Sequence, residues 1–229
     1  MIPKTFTLGG MEHQVLLKEV PGYRWRNFPP IKELHLAPLY EGKPIREDII
    51  EKHFWESVTC LIVDRVMLRC KNPFADNRVA YGHLVAQVMI QLTKFKDRLY
   101  CFFSRECDKY GIQVGGSDIG IIIDNEECSR RKIYGEYDAN NERILLQTEG
   151  VSEEVFMKHH PDFILRVLIH ELLHAVTTQL GLEQTKWNTE HNINTMAFFF
   201  TEVYLSLKPV DKEYGYTEST NGVLRLGDL

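Results

Sequence analysis

Residues 163–180 read FILRVLIHELLHAVTTQL, a run that is apolar on almost every side of a helix and yet carries two imidazoles and a carboxylate. Pro161-Asp162 suits a first helical turn in both backbone and dipole terms, and Gly181 suits a stop. Phe163, Ile164, Leu165, Val167, Leu168, Ile169, Leu172, Leu173, Ala175 and Val176 leave no wide polar face. The rest of the chain must therefore wrap around this helix and bury it. His170, Glu171 and His174 go inside with it, where each is costly to hold without a partner.

His170-Glu171-Leu172-Leu173-His174 matches H-E-x-x-H. Helix positions i and i+4 share a face, so both imidazoles can aim at one point, an arrangement that suits tetrahedral zinc. Glu171 is turned about 100° around the helix. It does not join that pair, but its carboxylate is placed to take a proton from water at the metal. The competing reading is a greasy core helix with two satisfied histidines. A metal answers the burial problem of all three polar groups at once, and that favours the metal site.

The 229-residue chain is long enough to bury a proper core. Its 44% hydrophobic and 26% charged content is that of an ordinary globular protein. A net charge of -5 argues against nucleic-acid binding, and Arg130-Arg131-Lys132 reads as a solvated run. MIPKTFTLGG has no apolar h-region, so no secretory signal is expected, and no stretch has the length of a membrane span. Cys60, Cys70, Cys101, Cys107 and Cys128 are odd in number and form no C-x-x-C pair. Reduced, buried thiols in a cytoplasm are expected, and a cysteine-built zinc site is not.

Along the chain, Thr5 to Leu8 and Gln14 to Val20 read as a hairpin about Gly9-Gly10. Pro21, Pro29, Pro30, Pro38 and Pro44 predict irregular structure after it. Ile50, Phe54, Val58, Leu61, Ile62 and Val66 recur at helical spacing, predicting a helix over 46–70 that Asn72-Pro73 ends. A second helical stretch is predicted from Asn77 to Tyr110, with a break near Asp97 allowed and Gly111 as C-cap. GIQV and DIGIIID have strand character, and IYGEY and ERILLQ predict a hairpin across Asp138–Asn141. A short SEEVF segment precedes the H-E-x-x-H helix. The last helix is predicted from Thr189 to Lys208, before Pro209, with Tyr214–Leu229 as a loose tail. Hairpin, helices, strands and helices in that order make an α+β fold.

HELLHAV, preceded by YGEYDANNERILLQ and followed by a helix, resembles the zincin-like metallopeptidases. More narrowly it resembles small H-E-x-x-H proteins of phages and prophages, which open with a strand like TFTLGG and place a hairpin before the HELLHA helix. The ImmA/IrrE-type metallopeptidases, which cleave regulatory repressors, are a neighbouring group. The resemblance covers about residues 1–20 and 133–208. It implies one zincin-like domain over 1–213, a small mixed or antiparallel sheet packed on the H-E-x-x-H helix, with 45–111 as a helical insertion and 214–229 as the tail. It also implies a cytosolic, phage-type zinc peptidase. Its substrate would be a cytosolic protein or peptide, added as a β-strand beside the strand that precedes the helix. A catalytically silent zincin-fold binding protein of a phage is the alternative. Neither a nucleic acid nor a membrane is expected as partner.

A hydrolytic zinc needs a third protein ligand. In zincins with a glutamate in that role, it comes from the next helix, here within TEHNINTMAFFFTEVYLSL. Asn194, twenty residues after His174, matches one known spacing but is a poor ligand and suits a supporting hydrogen bond better. His191, one turn earlier, is the expected third ligand alongside His170 and His174, with Glu190 and Glu202 as competitors. His159-His160, His53 and His83 are expected to be structural or surface histidines. Tyr134 or Tyr137 could contact substrate or an oxyanion, with packing the plainer role. Phe198-Phe199-Phe200 reads as core or interface.

Overall fold

The computed structural model describes residues 2–18, 20, 25–28, 32–40, 42–67, 75–105, 110–151, 156–158, 160–207 and 223–225. Strands β1 (Thr5–Leu8) and β2 (Met11–Lys18) form the expected antiparallel hairpin, turned at Gly9 and Gly10 with φ of 62° and 72°. Two successive positive φ angles are what a tight hairpin turn of this hand requires, and glycine takes them without strain.

The proline-rich stretch is not irregular throughout. It contributes β3 (Trp25–Phe28) and β4 (Glu33–Leu36), with β4 parallel to β2 and antiparallel to β3, in the order β1-β2-β4-β3. Pro38 follows β4, where it removes no ladder hydrogen bond, and Pro21, Pro29 and Pro30 lie outside the described residues. A short ribbon, β5 (Leu39–Tyr40) with β6 (Lys43–Pro44), leads into helix α1 (Glu47–Met67).

Helix α1 is buried on most sides, packing on α2 (Ala75–Lys94) and on the first sheet. The predicted long second helix ends early. It breaks at Phe95, resumes as α3 (Lys96–Phe103), and Tyr110 and Gly111 belong to strand β7 (Tyr110–Val114). Gly111 is therefore no helix cap. Tyr110, Ile112 and Val114 are buried and the residues between them exposed, the period of a strand.

A second sheet follows, of order β7-β8-β10-β9, from β8 (Ser117–Ile123), β9 (Gly135–Asp138) and β10 (Arg143–Leu146). Between β8 and β9 lies α4 (Asn125–Arg131), which the sequence reading missed. The Asp124 side chain accepts a hydrogen bond from the Glu127 N–H at 2.9 Å, and Lys132 ends the helix at φ 57°. Strands β11 (Glu149–Val151) and β12 (Phe156–Lys158) pair before α5 (Pro161–Gln179), and α6 (Glu190–Ser206) follows a 3-10 turn at Lys186–Asn188. Val223–Arg225, within the expected tail, forms β13 against β2.

Helices α1, α2 and α3 share one apolar core with α5, α6 and both sheets, through residues such as Trp55, Tyr81, Met89 and Phe102. The mixed α+β architecture is as expected, and the helices read as an insertion are built into its centre. No helix among the described residues is long and apolar enough to cross a membrane. One cysteine expectation is corrected: Cys60 and Cys128 are free, but Cys101 is disulfide-bonded.

Candidate metal centre

Helix α5 is framed by local signals. The His160 side chain accepts from the Asp162 N–H at its start, Pro161 occupies the first turn, and Gly181 follows its end at φ 64°. His159 lies outside the described residues. Helices α5 and α6 pack on each other and bring His170, His174 and Glu190 together.

His170 Nε2 and His174 Nε2 stand 3.0 Å apart. Glu190 spans both, with Oε2 3.3 Å from His170 Nε2 and Oε1 3.2 Å from His174 Nε2. Atoms about 2.0–2.1 Å from one tetrahedral ion lie about 3.3 Å from each other. The two imidazole nitrogens stand close to that spacing, and each Glu190 oxygen stands close to it from one of them, so the three side chains can surround a single cation.

The tautomer of His174 agrees. Its Nδ1 faces Asn188 Oδ1 at 2.7 Å, an oxygen that also accepts from the Thr177 hydroxyl at 2.6 Å, while the Asn188 amide nitrogen donates to the Glu183 carbonyl. Nδ1 thus carries the proton and Nε2 presents its lone pair to the cluster. Burial, then the neighbouring His174, holds the His170 pKa below its ordinary value, against the opposing pull of Glu190 and of a hydrogen bond to Asn194. Two imidazole nitrogens and a carboxylate are a donor set for a divalent transition metal.

Glu171 stands beside this cluster. It is 7% exposed, its Oε2 accepts the Tyr137 N–H at 2.9 Å, and its Oε1 lies 4.0 Å from His170 Nε2. Burial pushes its carboxyl up to about 7; the Tyr137 hydrogen bond opposes that shift, and Glu190 and Glu136 add to it. A cation between the histidines favours the ionised form. The close approach to β9 depends on Gly135, where a Cβ would sit 2.7 Å from Val167 Cγ1 and 3.1 Å from Glu171 Cγ.

Strand β9 is the edge of its sheet. The Gln147 N–H donates to the Tyr134 carbonyl, and antiparallel bonded pairs alternate, so Gly135 and Tyr137 turn their backbone groups away from β10. That outward edge is the one Glu171 meets.

The structure brings Glu190, rather than the expected His191, to the two histidines. His191 is exposed, about 100° around α6 from Glu190, and is not part of the cluster. Glu190, one of the competitors and the first residue of α6, stands with the two histidines instead. Glu202 is engaged elsewhere, accepting the Gly9 and Gly10 N–H groups at 2.5 and 2.7 Å, where it ties the first hairpin to α6. Asn194 reaches His170 as a hydrogen-bond partner. His83 pairs with Glu56 at 2.5 Å and His53 is buried in α1, both away from the cluster. Asn188, Thr177 and Gly135 were not singled out from sequence; only their positions next to the two helices and the hairpin hinted at them. With zinc as the probe ion, Asn188→Ala is expected to weaken affinity by about 10–100-fold. Competition against a chromophoric chelator reads this, and unchanged affinity would mean that Asn188 does not orient His174.

Compared with protein-family models, with curated proteins and with solved structures, the chain finds no match in any of the three.

Proposed function

We propose that this protein is a zinc-dependent metallopeptidase, with His170, His174 and Glu190 as the metal ligands and Glu171 as the general base. The observation that carries this reading is the convergence of three ligand atoms beside a separate, buried carboxylate anchored by a backbone N–H. A purely structural site has no use for that fourth group.

When bound, zinc supplies Lewis acidity to a carbonyl oxygen and acidifies water. The protein's own groups do the rest. His170 and His174 would hold the metal with Nε2, and Asn188 keeps the His174 ring in the required tautomer. Glu171, held at Oε2 by Tyr137, accepts the proton of the attacking water at Oε1 and returns it to the leaving nitrogen. The outward backbone of Gly135 and the Tyr137 carbonyl bind an extended peptide as an added strand. Tyr137 spends its N–H on Glu171, so the substrate carbonyl opposite it finds no strand donor and is left to face the catalytic groups.

The test uses protein stripped of metal and reloaded with one equivalent of zinc, incubated with a mixture of unfolded peptides. New amino termini, read by mass spectrometry, are expected; a chelator should suppress them and added zinc restore them. A zinc-loaded protein that generates no new termini would overturn the reading.

A further inference from the structure

Arg166 lies one helical turn before His170, about 40° around α5 from it. Its guanidinium sits over the Phe163 ring, 5.4 Å from the centroid. Phe163 in turn meets the edge of Tyr134, with centroids 5.0 Å apart and planes at 87°. Tyr134, half exposed, immediately precedes β9. These three residues thus run from α5, on the N-terminal side of His170, to the start of β9. Among the described residues Arg166 pairs with no carboxylate, in contrast to Arg130, Arg131 and Arg143, which each hold one. An unpaired guanidinium, parked on an aromatic face one helical turn before His170, is a built donor fork for a carboxylate.

Its distance from the metal translates into substrate length. Four helical residues advance about 6 Å, and an extended peptide advances about 3.3 Å per residue, so Arg166 stands about two substrate residues from the metal. The direction also follows. Tyr134 lies by Phe163 and Tyr137 by Glu171, so β9 runs alongside α5 in the same sense. A peptide added antiparallel, the more stable pairing, passes the metal and then carries its C-terminal side to Arg166.

We propose that Arg166 selects peptides bearing a carboxylate about two residues beyond the bond that is cut. The carboxylate is supplied by an acidic side chain or by the peptide's own C-terminus. This rests on the peptidase reading and adds a substrate class to it.

The experiment measures binding by calorimetry, so it needs no turnover. The probes are three short peptides with an amino-terminal hydroxamate that anchors on zinc. One carries Glu at the second position with an amidated end, one carries Gln there with an amidated end, and one has no acidic side chain but a free carboxylate after that position. Zinc-loaded wild-type protein is expected to bind one carboxylate probe about tenfold more tightly than the Gln amide, and which one identifies the source. Arg166→Gln should erase that preference while leaving zinc content and affinity for the Gln amide unchanged. Equal binding of all three probes, or a preference that survives Arg166→Gln, overturns the role of Arg166 and leaves the peptidase reading standing. Failure of every hydroxamate to bind the zinc-loaded protein overturns both.

Discussion

Glu171→Gln is expected to lower turnover by roughly 100- to 10,000-fold, the range that removal of a general base produces, while zinc content and thermal stability stay as in the parent. Glutamine keeps the size of the side chain and an oxygen to accept the Tyr137 N–H, so the contact between α5 and β9 survives. What it lacks is a site for the proton. Stability should not suffer, because burial already works against the charged form of Glu171 and a neutral amide avoids that penalty. Single-turnover rates on a peptide cleaved by the parent, with metal content measured on the same samples, check the prediction. Equal rates for the two proteins would remove Glu171 from the chemistry, and loss of zinc would instead make it part of the metal site.

The parts legible in the sequence were those specified by signals close together along the chain. Helix α5 was readable because its apolar run, Pro161 and Gly181 all lie within it or next to it. The β1–β2 and β9–β10 hairpins were readable because their turns and alternation are adjacent. Strands β3 and β4 were not. Each has only four residues, and β4 is specified by a parallel partner, β2, that lies before the proline-rich stretch. Helix α4 has seven residues, too few for its period to stand out beside the cap at Asp124. The same limit applied to the site. His170, Glu171 and His174 share one helix, so their mutual placement follows from spacing alone. Their partners Asn188, Asn194, Gly135 and Glu190 come from other elements, and nothing along the chain states how those elements are rotated against α5.

Glu190 and His191 put that limit to a direct test. The two are neighbours in sequence, and one residue of helix turns a side chain by about 100°, so a single-residue difference in where α6 begins decides which of them faces the histidines. Here α6 begins at Glu190, with Asn194 one turn on in contact with His170, and both follow the face turned toward α5. Glu190→Ala is therefore expected to weaken zinc binding by more than the roughly 10–100-fold that loss of a supporting hydrogen bond brings, because it removes a ligand itself. His191→Ala should leave zinc affinity within about twofold of the parent, as for an exposed residue that does not touch the metal. Glu190→Asp provides the control for charge without reach: it keeps the carboxylate but shortens the arm that spans both Nε2 atoms, and should fall between the two. Chelator competition on all three variants ranks them. The opposite ranking, with His191→Ala the damaging change, would mean that α6 is rotated by one residue from the position described, and that Glu190, 74% exposed, is a solvent-facing carboxylate.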